Sequence, residues 1–436
     1  MHIPIVAIVG RPNVGKSRLF NRLVGGSEAL VDDQPGVTRD RHYGHADWRG
    51  KNFWVVDTGG LIPGAENPLD QKVWEQAFVA IQEADILICV FDGQTGVTPV
   101  DRQLVQELRK QKKPVLYAVN KIDVAPHENR PYEFSELGID PLLSVSAEHG
   151  RGISDLLEAV FPLLAETIPE ESPDEKDVIK VAIIGRPNVG KSTLINRLIG
   201  QERVVVNELA GTTRDSIDVE CLHAGRRYRF VDTAGVKKKD VTHSRLEKFS
   251  AMKTIKAVER SYVVCLLLDA FEGLTRQDMH LAQFAWESGK GLILLANKWD
   301  LVSVEWKEYR ERLEQGLGSM AIVPKLNIAA KEGLHCDKLF GTIRRLYQKM
   351  ERQITTGRLN RWLEDVQSKQ AVPLFRGRHV KLFYGTQVGT KPPRFAFFTN
   401  HPKGIPTSYQ RFLMGELRGL LSAEDIPIRL EMRQKE

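Results

Sequence analysis

Cysteine is scarce: the 436 residues hold four, Cys89, Cys221, Cys265 and Cys336. No two are spaced as paired metal ligands, and four scattered thiols offer no disulfide framework. Cys89 and Cys265 sit inside apolar runs and read as buried small hydrophobes. Long hydrophobic runs are also missing; none approaches the roughly 18 residues that span a membrane. No charged leader with an apolar segment precedes the first strand-like run, so a signal peptide is not expected. The chain is therefore expected to be cytoplasmic and soluble, a monomer with no membrane partner. The apolar fraction of 42% permits full-sized cores, and the length implies about three domains.

A balanced charge distribution is missing too. The net charge is +6, with 62 Lys+Arg against 56 Asp+Glu. From Gly341 to Glu436 there are 18 bases and 8 acids, a net of +10, so the other 340 residues carry 44 against 48, a net of −4. Positive charge concentrated at one end suits a polyanionic partner, nucleic acid foremost. A basic surface that only solvates the domain is the alternative.

What the chain has is repetition. Gly10-Arg11-Pro12-Asn13-Val14-Gly15-Lys16-Ser17 recurs letter for letter as Gly185-Arg186-Pro187-Asn188-Val189-Gly190-Lys191-Ser192. Each copy fits the phosphate-binding pattern G-x-x-x-x-G-K-[ST]. Each follows a short apolar run (Ile3–Val9, Val178–Ile184) and precedes a helical pattern that ends near Gly25 or Gly200. Strand, glycine-rich loop and helix make an anion cradle from successive backbone N–H groups and a helix N-terminus. Lys16 and Lys191 bring a point charge to the β- and γ-phosphates; Ser17 and Ser192 offer a hydroxyl to Mg²⁺.

Other motifs repeat at nearly the same offset of about 175 residues: Pro35–Asp40 with Ala210–Asp215, Asp57-Thr58-Gly59-Gly60 with Asp232-Thr233-Ala234-Gly235, and Asn120-Lys121-Ile122-Asp123 with Asn297-Lys298-Trp299-Asp300. This period is too long for a solenoid repeat and means two tandem domains. The N-K-x-D motifs choose the base. A fixed carboxylate accepts from both N1–H and the 2-amino group of guanine, and adenine leaves it unpaired. The Asn side chain can bond the Hoogsteen edge, and the Lys stem can cover a ring face. In the nucleotide-binding domains that these motifs resemble, a backbone N–H of a following S-A pair reaches the guanine oxygen; here the pairs are Ser146-Ala147 and Ala329-Ala330, the second without the hydroxyl that would fix its loop.

Asp57 and Asp232 can hold a water on Mg²⁺, and the Gly60 and Gly235 N–H groups can sense the γ-phosphate. Thr38 and Thr213, in repeated G-x-T-R-D stretches, can ligate Mg²⁺ while that phosphate is present. Lys16, Thr38, Gly60, Lys191, Thr213 and Gly235 are thus the candidate catalytic set. A water-orienting Gln is missing from both copies: Leu61 and Val236 stand there, and neither orients water by hydrogen bonding.

Apolar strand-like runs alternate with amphipathic stretches in both copies, which predicts an α/β fold with a mostly parallel, helix-covered sheet. The domains expected are 1–165, an acidic linker at 166–177, 178–352, and an α+β tail at 353–436 in the order α-β-β-α-β. A chain ending near Glu351 is expected to keep nucleotide binding.

These motifs, with Lys381-Leu-Phe-Tyr-Gly-Thr-Gln387, Pro392–Pro393 and Pro427–Leu430, resemble the Der (EngA) family of tandem GTPases in the TrmE–Era–EngA class. The resemblance covers nearly the whole chain. It implies GTP hydrolysis coupled to assembly of the large ribosomal subunit, with GTP/GDP and Mg²⁺ as cofactors and rRNA as the partner of a KH-like tail. Asn13 and Asn188 match a position that holds a monovalent cation, K⁺, in related GTPases; an Asx-type brace of the loop is the alternative. The tail departs from ordinary KH domains in having no G-x-x-G loop. Two other readings compete: a nucleotide-switched RNA- or ribosome-binding module with negligible hydrolysis, and a tRNA-modification GTPase, which typically has one G domain and a C-terminal Cys.

Overall fold

The computed structural model describes residues 3–25, 30–32, 41–49, 51–58, 78, 80–82, 84–123, 130–164, 177–200, 218–232 and 251–435. The chain forms two compact units, Met1–Glu170 and Glu171–Glu436. The first is built on a seven-stranded sheet in the order β2-β3-β4-β1-β5-β6-β7. Its strands are β1 (Ile5–Val9), β2 (Leu30–Asp32), β3 (Arg41–Trp48), β4 (Lys51–Asp57), β5 (Ile86–Asp92), β6 (Val115–Asn120) and β7 (Leu142–Ser144). β1, β4, β5, β6 and β7 run parallel, while β2 and β3 add an antiparallel edge. Parallel strands covered on both faces read as unbroken apolar runs, and every residue of β1 and β5 is buried. Helices α1 (Lys16–Val24), α2 (Pro99–Arg109) and α3 (Ile153–Leu163) contribute apolar faces.

The second unit repeats this plan with β8 (Val178–Ile184), β9 (Val219–His223), β10 (Arg226–Val231), β11 (Val263–Asp269), β12 (Gly291–Asn297) and β13 (Lys325–Asn327), ordered β13-β12-β11-β8-β10-β9. Its helices are α4 (Lys191–Gly200), α5 (Ala251–Arg260), α6 (Arg276–Glu287), α7 (Trp306–Leu317) and α8 (Lys338–Met350). In both sheets the first strand, β1 or β8, has parallel neighbours that come later in the chain on either side. Strand order reverses there, and a crevice opens at the carboxyl ends of the strands.

The tail follows as α9 (Thr356–Lys369), β14 (Leu382–Gly389), β15 (Arg394–Thr399), α10 (Thr407–Leu421) and β16 (Arg429–Gln434), with sheet order β14-β15-β16. The α-β-β-α-β order matches the sequence expectation. Its separability does not. One continuous core runs from the β8–β12 strands through Leu346, Tyr347 and Met350 of α8 into Leu359, Leu363, Phe395, Phe397, Leu413 and Leu417 of the tail. Polar ties reinforce it. Lys349 pairs with Asp425 at 2.7 Å, Arg352 donates to the Ser422 carbonyl at 2.6 Å, and Arg429 donates to the Glu287 carbonyl at 2.7 Å. A chain cut near Glu351 would lose half of a shared core.

Candidate functional site

Each phosphate loop leaves the end of its first strand and turns into a helix. Gly15, the N-cap of α1, supplies no side-chain hydrogen bond to that helix, so the first-turn donors remain available to an anion. Gly15 and Gly190 have φ of +95° and +99°, and a Cβ on either would overlap the amide nitrogen of Asn120 or Asn297. Glycine is required there twice over, by dihedral and by space. Lys16 Nζ donates to the Arg11 carbonyl at 2.8 Å; Lys191 Nζ donates to the carbonyls of Arg186 at 2.7 Å and Gly185 at 3.0 Å. Both ammonium groups thus lie across their own loop. Pro12 is half-buried and Pro187 exposed, while Val14 and Val189 anchor the loops in the cores.

Asn13 and Asn188 sit at the crest, exposed, with φ of +66° and +62°. Asn tolerates this left-handed region better than most residues. Neither side chain bonds to the protein among the described residues, so the loop-bracing alternative has no hydrogen bond to rest on.

Arg11 and Arg186, the second residues of the loops, point away from the crest. Arg11 Nε lies 3.3 Å from Asp101 Oδ2, and Arg186 Nε lies 3.1 Å from Asp278 Oδ1. Both Asp side chains are fully buried. Each is also the third helical residue of a capping box: Thr98 Oγ1 donates to Asp101 at 2.7 Å and Thr275 Oγ1 to Asp278 at 2.7 Å, while the Asp N–H donates back to the Thr oxygen. This clamp between phosphate loop and helix did not emerge from the motif reading. Its signal was in the sequence as Asp92…Gly96-x-Thr98-x-x-Asp101, repeated as Asp269…Gly273-x-Thr275-x-x-Asp278.

The N-K-x-D residues, expected to select the base, lie at the ends of β6 and β12. Asn120 Nδ2 donates to the Val14 carbonyl at 2.8 Å and its Oδ1 accepts from the Ala147 N–H at 2.9 Å. Asn297 does the same to Val189 and Ala330, at 2.7 and 2.9 Å. The expected Hoogsteen reader is therefore first a brace, tying the phosphate loop to the loop beyond β7 or β13, with one Nδ2 hydrogen left. Lys121 and Lys298, at φ of +68° and +60°, pair with Asp92 at 2.6 Å and Asp269 at 2.5 Å. Burial pushes these two carboxyls up, but the Lys bond and backbone N–H donors outweigh it and hold both below the usual range. Ile122 is buried, and Trp299 packs edge-on to Trp306 and Tyr309.

The two copies differ at the carboxylate. Ser146 Oγ donates to Asp123 Oδ1 at 2.6 Å. Ala329 has no hydroxyl to offer, and Asp300 is exposed. They differ again at the expected Mg²⁺ residues. Ser17 Oγ donates to the buried Asp57 at 2.6 Å, and Thr58 Oγ1 donates to the Ile8 carbonyl at 2.8 Å. Asp232 adopts φ +57°, and its N–H donates to Asp218, itself paired with Arg260 at 2.5 Å. Burial raises the Asp232 carboxyl, with Lys253 and Arg260 opposing and Asp218 adding to the rise. No Ser192–Asp232 hydrogen bond forms among the described residues. Thr38, Gly59, Gly60, Leu61, Thr213, Thr233, Ala234, Gly235 and Val236 lie outside the described residues.

The sequence matches the family described as "50S ribosome-binding GTPase" twice, over residues 5–121 and 180–298. Residues 353–433 match the "KH-domain-like of EngA bacterial GTPase enzymes, C-terminal". The curated protein named GTPase Der from Syntrophotalea carbinolica is 42% identical over 434 residues, covering 99% of each chain. GTPase Der from Moorella thermoacetica is 44% identical over 434 residues, covering 99% of this chain and 98% of the relative. With two matching GTPase domains, a KH-like tail and full-length identity of this order, the chain belongs to the Der (EngA) family of tandem-domain GTPases.

Proposed function

We propose that the chain hydrolyses GTP at two sites and uses the cycle in assembly of the large ribosomal subunit, contacting rRNA through its basic C-terminal domain. The observation that carries this reading is the duplicated arrangement in which one Asn ties the G-x-x-x-x-G-K-S loop to the loop beyond β7 or β13. The family description, which names 50S binding, supports the partner. Charge supports it as well, with +10 concentrated from Gly341 onward.

At each site Lys16 or Lys191 releases its loop carbonyls and turns to the β- and γ-phosphates. The helix N-terminus takes the remaining charge, and Asp123 or Asp300 reads guanine. Ser17 with Asp57 and Thr38, and Ser192 with Asp232 and Thr213, would hold Mg²⁺, which would supply positive charge against the phosphates. The Ser17–Asp57 contact fits that role as it stands; the second pair needs Asp232 to leave its left-handed posture. Asn13 and Asn188 present amide oxygens suited to K⁺, whose charge there would stand in for an arginine finger. Hydrolysis measured at fixed ionic strength in K⁺, Na⁺ and choline tests this: K⁺ should raise turnover, and Asn13→Ala and Asn188→Ala should remove the stimulation.

The ribosomal reading is tested by multiple-turnover phosphate release with and without large subunits, alongside co-sedimentation in GDP, a GTP analogue or no nucleotide. Subunit-stimulated turnover and nucleotide-dependent association are expected. Binding without turnover under every condition would favour a nucleotide-switched module instead.

A further inference from the structure

The tail lacks the loop by which KH domains clamp a strand, yet it displays another surface suited to single-stranded nucleic acid. In its sheet, Phe395 and Phe397 of β15 are fully buried in a core with Leu359, Leu363 and Val366 of α9 and Leu413 and Leu417 of α10. Side chains alternate along a strand, so Phe398, half-buried, lies on the face opposite Phe395 and Phe397. The register sets Tyr384 of β14 and Arg433 of β16 on either side of Phe398. A β-bulge between Leu382 and Tyr384 leaves two consecutive aromatics in solvent, Phe383 at 43% and Tyr384 at 39% exposure.

These rings are ordered against one another. Tyr384 stacks on Phe398 with centroids 4.4 Å apart and planes 14° from parallel. Lys435, just past β16, reaches across β15 to set its ammonium 4.3 Å above the Phe383 ring. Arg433 is held by Glu431 at 2.5 Å. Lys381, immediately before β14, is exposed, as are Arg433 and Lys435. The face thus pairs flat π surfaces with a fringe of cations.

We propose that this open sheet face, Phe383, Tyr384 and Phe398 fringed by Lys381, Arg433 and Lys435, is a base-stacking platform for single-stranded RNA. The proposal rests on the RNA-binding reading above and names where and how the strand is held. Every base has a π face, so aromatic platforms accept single strands with little sequence preference. A duplex hides those faces, and its phosphates alone would gain only the fringe of cations. A protein partner fits less well, because the aromatics are flanked by Lys381, Lys435 and Arg433, the last shared with Glu431, and cations match phosphates.

The test is anisotropy of a fluorescein-labelled 12-nucleotide RNA of mixed sequence, single-stranded or as a blunt duplex, titrated with the full chain across a salt series. Single-strand binding should be at least about tenfold tighter than duplex binding. Phe383→Ala should weaken it about tenfold, the scale of one lost base stack, with the salt slope unchanged. Lys435→Gln should instead lower that slope by about one. Tyr384→Trp should keep or raise affinity, because the larger ring still stacks; Tyr384→Ala should lose it. Calorimetric melting checks that each variant is folded, and Phe383→Ala leaves the Tyr384–Phe398 stack intact. Equal affinity for duplex and single strand, or Ala variants that bind like the parent, would overturn the platform while leaving RNA binding by the basic tail in place. No binding of either RNA at low salt would overturn both readings.

Discussion

At the residue scale the two candidate sites are near-copies, and one of their differences is a single hydroxyl. Ser146 holds Asp123 by a 2.6 Å bond, whereas Ala329 has no hydroxyl to offer the exposed Asp300. A hydrogen bond to a charged acceptor contributes about 1.5–3 kcal/mol, and part of that is lost where solvent competes. Ser146→Ala should therefore weaken GTP at the first site roughly tenfold, and Ala329→Ser should tighten the second by a smaller factor. An Asp300→Asn background turns the second site toward xanthosine triphosphate, so that GTP titration reports the first alone. Unchanged GTP affinity in Ser146→Ala would mean that Asp123 is oriented by its backbone. The motif residues were legible because each lies in a short window whose chemistry is local. The bracing role of Asn120 was not, because Val14 and Ala147 lie 106 and 27 residues away in sequence and only the fold brings them to one side chain.

At the scale of elements, each phosphate loop is clamped to the start of α2 or α6 through one buried carboxylate. Removing one partner of a buried pair strands the other, at a cost of about 3–5 kcal/mol, and Asp101→Ala also deletes a capping box, about 1 kcal/mol more. Arg11 keeps 15% of its side chain exposed, which lowers the total, so a loss near about 3 kcal/mol is expected. Calorimetry should show the first unit's transition moving down while the second holds; coincident shifts of both would show that the clamp does not act locally. Proton linkage acts through a second element-level contact. Asp92 and Asp269 have folded pKa values below the unfolded 3.8. Their contribution is thus complete above that value and lost as pH falls through the folded one. Lys298→Met removes the side-chain part of the cause at Asp269, so its urea midpoint should fall less steeply than the parent's below about pH 4. Identical acid profiles would assign the depression to backbone donors alone. The strands were legible because buried parallel strands are uniformly apolar, while the clamp was not, since Arg–Asp pairing across 90 residues has no local periodicity.

At the scale of the molecule, what the sequence concealed is that the basic tail and the second GTPase domain share a core. Composition places a boundary near Arg352, where charge changes and Thr355-Thr356-Gly357 interrupts two helical patterns. Packing ignores it. Tyr347 and Met350 of α8 are 4% and 0% exposed, and Lys391 of the tail donates to the Tyr347 hydroxyl at 2.7 Å. Deleting everything after Glu351 would remove the tail's side of this core, take the Lys391 donor from Tyr347 and leave Lys349 without Asp425. Each large side chain left exposed forfeits roughly 1.5–3 kcal/mol, and the whole stability of a domain is about 5–15 kcal/mol. The truncated chain is therefore expected to melt its second unit well below the parent and to bind GTP poorly there, while the first site is unaffected. A loss of subunit binding in that chain would not isolate the role of the charge. Exposed cations away from the shared core make the sharper instrument. Replacing Lys381, Arg433 and Lys435 with Gln should leave melting and both GTP affinities intact. It should also reduce the salt dependence of ribosomal association by up to about three, one for each phosphate contact removed. Association with an unaltered salt slope would place the nucleic-acid contact on another face and leave these three cations as solvation alone.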